Sequence, residues 1–234
     1  MLRERSVEPE YFDNPARTRG EIAAGYRELA RVNRLFQLDD PYTRVLSRWL
    51  GRDHCRRLSI LDLGAGDAWL ANRMEAFATR QGWTWTVTSL DMNPVPLQIN
   101  GRPLNVAGSA TALPFRDAAF DLVIASQMTH HLDTDDDVLR HFREAWRVAR
   151  LGLFITDMRR SALLYALLQC FLPILRLSPR MRADGLLSVR RSFTRAELQA
   201  LAARSGLPGL TVRTYFGTRL IVSARKTPAT AAAT

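Results

Sequence analysis

Apolar residues along this chain recur with two different periods, and each change of period marks a change of element. Between Arg19 and Gln37, Ile22, Tyr26, Leu29, Val32 and Phe36 stand three or four residues apart, which predicts one amphipathic helix. Asp39-Asp40-Pro41 stops it and opens a second helix, with Val45, Leu46 and Trp49 on its apolar side and an end near Gly51. Compact apolar or β-branched runs then follow at 58–63, 84–90, 104–107, 120–125 and 151–156, each read as a strand. Helical stretches at 68–80 and 135–148 separate the first strand from the second and the fourth from the fifth. Strands spaced by helices imply right-handed crossovers and a parallel sheet covered on both faces.

Past Asp157 the pattern changes. Ala162 to Leu175 is nearly all apolar, interrupted by Gln169 and Pro173 and flanked by Arg159, Arg160, Arg176 and Arg180. The run is too short for a bilayer core of about 30 Å, which needs roughly 20 residues. It can form a lid helix, the wall of an apolar pocket, or a peripheral contact with a membrane surface. Thr194, with Glu197 three residues on, predicts a capping box and a helix to about Ser205. Leu210 to Tyr215 and Thr218 to Ala224 predict an antiparallel hairpin. The expected fold is α/β: a Rossmann-like, doubly wound, mostly parallel sheet with a C-terminal antiparallel hairpin and an N-terminal helical cap. Residues 1–51 form the arm and cap, of which the polar stretch 1–17 reads as loose. Residues 52–226 form the sheet domain with an apolar insertion at 158–192, and 227–234 a flexible tail.

A chain of 234 residues with 47% apolar and 24% charged side chains can bury one full core and is not disordered. The net charge of +10 is almost all arginine, since Lys226 is the sole lysine among 33 basic residues. Those arginines are scattered along the whole chain, so charge alone does not decide between a compositional bias and an anionic partner such as a membrane surface or nucleic acid. Cys55 and Cys170 cannot build a disulfide framework, no Cys-x-x-Cys is present to hold zinc, and no metal site is expected. The first residues carry no apolar signal core, so a reduced cytoplasmic setting is expected.

Ligands of open parallel sheets lie outside the carboxyl ends of the strands. Ile60-Leu-Asp-Leu-Gly-Ala-Gly-Asp-Ala-Trp69 occupies that place after the first strand, and Gly64 and Gly66 permit a tight turn with close approach to a ligand. Asp91, at the end of the second strand, is placed where a carboxylate can accept both hydroxyls of a ribose. A dinucleotide site would need a further glycine three residues after Gly66, where Trp69 stands. Asp62 would also sit badly beside a diphosphate, and suits a cationic ligand such as the amino group and sulfonium of S-adenosylmethionine.

The run Ile60 to Ala68, Asp91, and the stretch Gly108 to Asp121 with the strand after it resemble the class I S-adenosylmethionine-dependent methyltransferases, most of all the branch acting on quinones, phenols and lipids. The likeness covers roughly residues 58 to 158, and the C-terminal hairpin is similar to that family's reversed last strand. It implies S-adenosyl-L-methionine as cofactor, with Asp62, Gly64 and Gly66 around its methionine part and Asp91 on the ribose. Met92 would pack on the adenine, and Ser109 and Ala110 would edge it. Three positions depart from the family: Ala68 replaces a common third glycine, Ser109 a common aspartate, and Ala149-Arg-Leu-Gly152 the usual Pro-Gly-Gly.

The loop Ser126-Gln-Met-Thr-His-His-Leu132 follows the fourth strand, next to where the methyl group would point. Histidine titrates in the range a general base needs, so His130 or His131 can deprotonate a phenol or enol acceptor. The resemblance favours His131, since the family often has His just before Leu here, and Asp157 is the second acceptor-facing candidate. The expected reaction is O-methylation of a small hydrophobic phenolic, polyketide-like or isoprenoid compound. Two alternatives are a nucleic-acid methyltransferase, which lacks its Asn/Asp-Pro-Pro-aromatic motif here, and a non-catalytic nucleoside-binding module.

Overall fold

The computed structural model describes residues 2–14, 16–51 and 55–226; the tail at 227–234 lies outside them. Seven strands form one sheet: β1 (Arg57–Leu63), β2 (Thr84–Asp91), β3 (Asn105–Ala107), β4 (Phe120–Ser126), β5 (Ala149–Met158), β6 (Thr211–Tyr215) and β7 (Arg219–Arg225). Their order is β3-β2-β1-β4-β5-β7-β6, and β7 pairs antiparallel with both β5 and β6. The period of two divides the apolar strand residues between two cores. Leu61, Leu63, Val123, Ala125, Leu153 and Ile155 face one side of the sheet, while Leu58, Ile60, Leu122, Ile124 and Phe154 face the other. Strand order reverses between β1 and β4, so a crevice opens at their carboxyl ends.

Among the described residues, eight helices surround the sheet: α1 (Arg19–Leu35), α2 (Leu46–Leu50), α3 (Trp69–Arg80), α4 (Pro94–Asn100), α5 (Asp135–Val148), α6 (Ala162–Phe171), α7 (Pro179–Arg191) and α8 (Arg195–Arg204). The second predicted helix begins as a π-type turn over Pro41–Val45 before α2. The capping box of Thr194 and Glu197 is present at the start of α8. Two helices are absent from the hydrophobic pattern. Pro94 and Pro96 hide α4, yet proline is tolerated in a first helical turn, and the Asn93 side chain caps it by accepting the Val95 N–H. The helix α7 is hidden because its buried face is partly polar: Met181, Asp184, Ser188, Val189 and Arg191.

The N-terminal arm differs from the loose segment expected. The Arg5 guanidinium donates to the carbonyls of Arg191 and His130, at 2.5 and 2.7 Å, and to that of Leu132, and it lies over the Phe193 ring. Arg160, buried, reaches the carbonyls of Leu2 and Arg3 while pairing with Glu197. The arm is thereby tied to α7 and to the turn after β4. Where Pro-Gly-Gly is missing, no loop intervenes: α5 ends at Val148 and β5 starts at Ala149. Gly152 is required there because a Cβ would collide with the Ala224 backbone carbonyl of β7.

Candidate active site

The β1 strand ends in a turn whose geometry explains its glycines. Gly64 and Gly66 both have left-handed φ angles, +67° and +54°. A Cβ on Gly64 would collide with the Met128 side chain, and one on Gly66 would meet Tyr26 Cε1 at 2.5 Å. Tyr26, from α1, therefore packs directly onto the turn. Ala68 is also left-handed, at φ 59°, as the N-cap of α3. The position where the resemblance has a third glycine is thus one that favours glycine, and alanine carries about 1–2 kcal/mol of strain there.

Two acids flank this turn. Asp62 is buried and its Oδ2 has no hydrogen-bond partner among the described residues. Burial, and then the Asp91 carboxylate, pushes its pKa up to about 8. Asp91 is anchored, with Oδ2 accepting the Gly66 N–H and Oδ1 the Asn93 N–H, both at 2.8 Å. Burial raises its pKa too, partly offset by those two N–H groups. Met92 stands 80% exposed at the rim, and the Ser109 hydroxyl is 2.9 Å from that of Thr111.

The two histidines behave differently, and the arm decides how. His130 is buried, its Nδ1 2.6 Å from Asp157 Oδ1, and its backbone N–H donates to Asp157 Oδ2 at 2.8 Å. Its Nε2 lies 3.6 Å from Glu10 Oε1, which also accepts the Ser188 hydroxyl. Burial alone would strip the proton from His130, but Asp157 and then Glu10 outweigh it and push the pKa up to about 10. The ring is accordingly an imidazolium clamped between two carboxylates, a structural cation rather than a base. His131, half-buried, places Nδ1 2.9 Å from Asp13 Oδ1. Asp13 is held in turn by Arg191, and its carboxyl lies well below the usual range, burial being outweighed by the His131 hydrogen bond. Ligand-type atoms of Glu10, His130 and His131 lie within 4.8 Å of one another. The His130 imidazolium already supplies positive charge at that point.

Asp62, Gly64, Gly66, Asp91, Met92, Ser109, Ala110 and His131 all line one cavity of about 610 Å³ at the carboxyl ends of β1 and β4. Asp157 does not line it; its Oδ2 and Oδ1 are taken by His130 and the Met158 N–H. The cavity has two kinds of wall. One is the acidic glycine turn, and the other is apolar, with Val32 and Phe36 of α1 facing Leu164 and Leu168 of α6 and Leu172 and Met181 beyond them. Sequence reading singled out neither Tyr26, Glu10 and Asp13 as site residues nor Gln127. Gln127 lines the cavity with a left-handed φ of 55° and neither amide atom bonded. Among the described residues this amide has no partner, which leaves it available to a ligand in the cavity.

Residues 61–155 match the methyltransferase domain family. Among solved structures, the plantazolicin methyltransferase BpumL, in complex with a monoazolic desmethylPZN analog and SAH, is similar with a TM-score of 0.63 at 9% identity, covering 86% of this chain and 89% of that one. Human N-acetylserotonin methyltransferase in complex with SAM reaches a TM-score of 0.62 at 15% identity, over 93% of this chain and 59% of that one. A SAM-dependent methyltransferase from Aquifex aeolicus gives 0.54 at 15% identity, over 82% and 97%. A comparison with curated proteins finds no match. At these identities the structural likeness is one of fold, and the family match is carried by the segment that holds the glycine turn and the histidine loop. Residues 61–155 are thus similar to the methyltransferase domain family, and the chain has the fold of the class I S-adenosylmethionine-dependent methyltransferases.

Proposed function

We propose that the protein transfers a methyl group from S-adenosylmethionine to a hydroxyl of a small apolar acceptor, of phenolic, polyketide-like or isoprenoid character. The observation that carries this reading is the buried, unpartnered Oδ2 of Asp62 beside the Gly64–Gly66 turn. An orphaned buried acceptor is costly, about 1–3 kcal/mol, unless a ligand donor completes it. The amino group of the methionine part is such a donor, and its charge would return Asp62 to the ionised form. Asp91 keeps unused lone pairs after accepting two N–H bonds, enough for ribose hydroxyls. Met92, Ser109 and Ala110 line the same cavity, where an adenine would reach them.

When bound, S-adenosylmethionine supplies an electrophilic methyl on sulfur and leaves as a neutral thioether. The residues of this chain do the rest by alignment, exclusion of water and proton handling. The apolar wall holds the acceptor body. Gln127 offers an amide donor and acceptor to its polar end. His131, oriented by Asp13 Oδ1 at 2.9 Å from its Nδ1, takes the hydroxyl proton as oxygen gains the methyl group. Asp157 and Glu10 act through His130, holding the turn that carries His131.

The test is transfer of labelled methyl from S-adenosylmethionine to alkylated phenols, with His131→Asn as the diagnostic variant. Turnover is expected to fall about 100- to 10,000-fold while affinity for S-adenosylhomocysteine stays unchanged. Equal turnover in the variant contradicts His131 as the base.

A further inference from the structure

The helix α6 has two apolar faces where a cap helix needs one. Its inner side, through Leu164 and Leu168, lines the cavity and packs with Leu29, Val32 and Phe36 of α1. On the outside, Leu163, Leu167 and Phe171 recur every fourth residue, and Ile174 continues the ridge into the following turn. They are 62%, 38%, 49% and 70% exposed. Nothing in the chain's own described residues covers this ridge. Along the segment itself the charge is of one sign, with five arginines and no acid at 158–183; the carboxylates that reach it are those of Glu21, beside Arg180, and Glu28, which accepts the Ser178 N–H. Arg160 is buried, but Arg176, two residues past Ile174, is exposed and makes no ion pair among the described residues. Arg182 likewise has no ion pair there, and Arg180 is exposed beside Glu21.

We infer that α6 docks on an anionic phospholipid bilayer, lying in the interface with its outer ridge among the acyl chains and Arg176 and Arg182 at the headgroups. An apolar ridge bordered by cations is the combination that binds such a surface without spanning it. No helix among the described residues is long and apolar enough to cross a membrane. Because the other side of the same helix roofs the cavity, an apolar acceptor dissolved in the bilayer reaches the site beneath α6 without passing through bulk water. That last step rests on the methyltransferase reading; the docking itself does not.

The test is flotation of the full chain with vesicles of phosphatidylcholine alone and of phosphatidylcholine mixed with phosphatidylglycerol. The protein is expected to float with the anionic vesicles, and to be released by high salt. The double variant Leu163→Asp, Phe171→Asp should partition at least tenfold less, with unchanged melting temperature and unchanged affinity for S-adenosylhomocysteine, since neither side chain lines the cavity. Arg176→Glu should weaken flotation, whereas Arg140→Glu on α5, an equal change of net charge, should not. The inference is overturned if the wild type stays in solution, if the double variant floats equally, or if both arginine variants fall alike. It is also overturned if sizing shows a dimer that the double variant dissociates, because a second copy then covers the ridge. Absence of S-adenosylhomocysteine binding in the same preparation would contradict the methyltransferase reading and leave the flotation result standing.

Discussion

Asp62 carries opposite demands of binding and stability on one side chain. Its pKa is pushed up to about 8 in the folded chain from the ordinary carboxyl value of 3.8, burial being the main cause. A group whose folded pKa is raised contributes its stability at low pH and loses it as pH climbs through the folded value. The protein is therefore expected to lose stability as pH rises from about 4 towards 8, and Asp62→Asn to flatten that slope while weakening S-adenosylhomocysteine. Melting temperatures across that window, with calorimetry beside them, check both halves; a variant as steep as wild type contradicts the assignment. Asp62, Gly64, Gly66 and Asp91 were legible in the sequence because turn, strand end and spacing impose them locally. Tyr26 and Gln127 were not. The first reaches the turn across the chain from α1, and the second is marked only by a left-handed φ and an unbonded amide.

The arm shows the same difference between local and tertiary signals at the level of elements. Residues 2–14 have no apolar period to read, yet Arg5 meets four backbone carbonyls, of Arg191, His130, Leu132 and Asp133, and Glu10 and Asp13 meet one histidine each. Arg5→Ala should cost about 1.5–3 kcal/mol, the loss of charge-assisted hydrogen bonds. Denaturant unfolding checks the energy, and hydrogen exchange should show faster opening of the Met128–Leu132 turn; unchanged exchange would mean the arm does not hold that turn. The clamp also has a pH signature. With the pKa of His130 raised to about 10 from 6.5, its stabilisation is complete below 6.5 and fades as pH climbs through 10. The helices read correctly, α1, α3, α5 and α8, have apolar periodicity or a capping box of their own. By contrast, α7 was illegible because it buries Asp184, Ser188 and Arg191 against the arm, and such a face has no hydrophobic period.

At the scale of the molecule, the mostly parallel, doubly wound sheet and the C-terminal hairpin followed from strand spacing and short-range pattern, whereas the order β3-β2-β1-β4-β5-β7-β6 is set by pairings across the chain. The apolar stretch 162–175 was visible as a run but not as a helix with an inner and an outer face, because an all-apolar run has no moment to orient it. Under the proposed function, its inner face sets the acceptor preference. Lengthening the alkyl chain of a phenolic acceptor should raise kcat/KM by up to about 0.8 kcal/mol per methylene until the cavity of about 610 Å³ is filled. A flat series would mean that the Leu164, Leu168 and Leu172 wall does not touch the acceptor.

The proposed methyl transfer depends on the nucleoside pocket, and calorimetric titration of the full chain with S-adenosylhomocysteine tests that pocket most directly. The expected result is one molecule bound per chain, with Asp91→Ala weakened by about 1.5–3 kcal/mol, the worth of hydrogen bonds to a charged acceptor. No heat of binding from a folded wild-type protein, or an Asp91→Ala variant that binds as tightly, would contradict it.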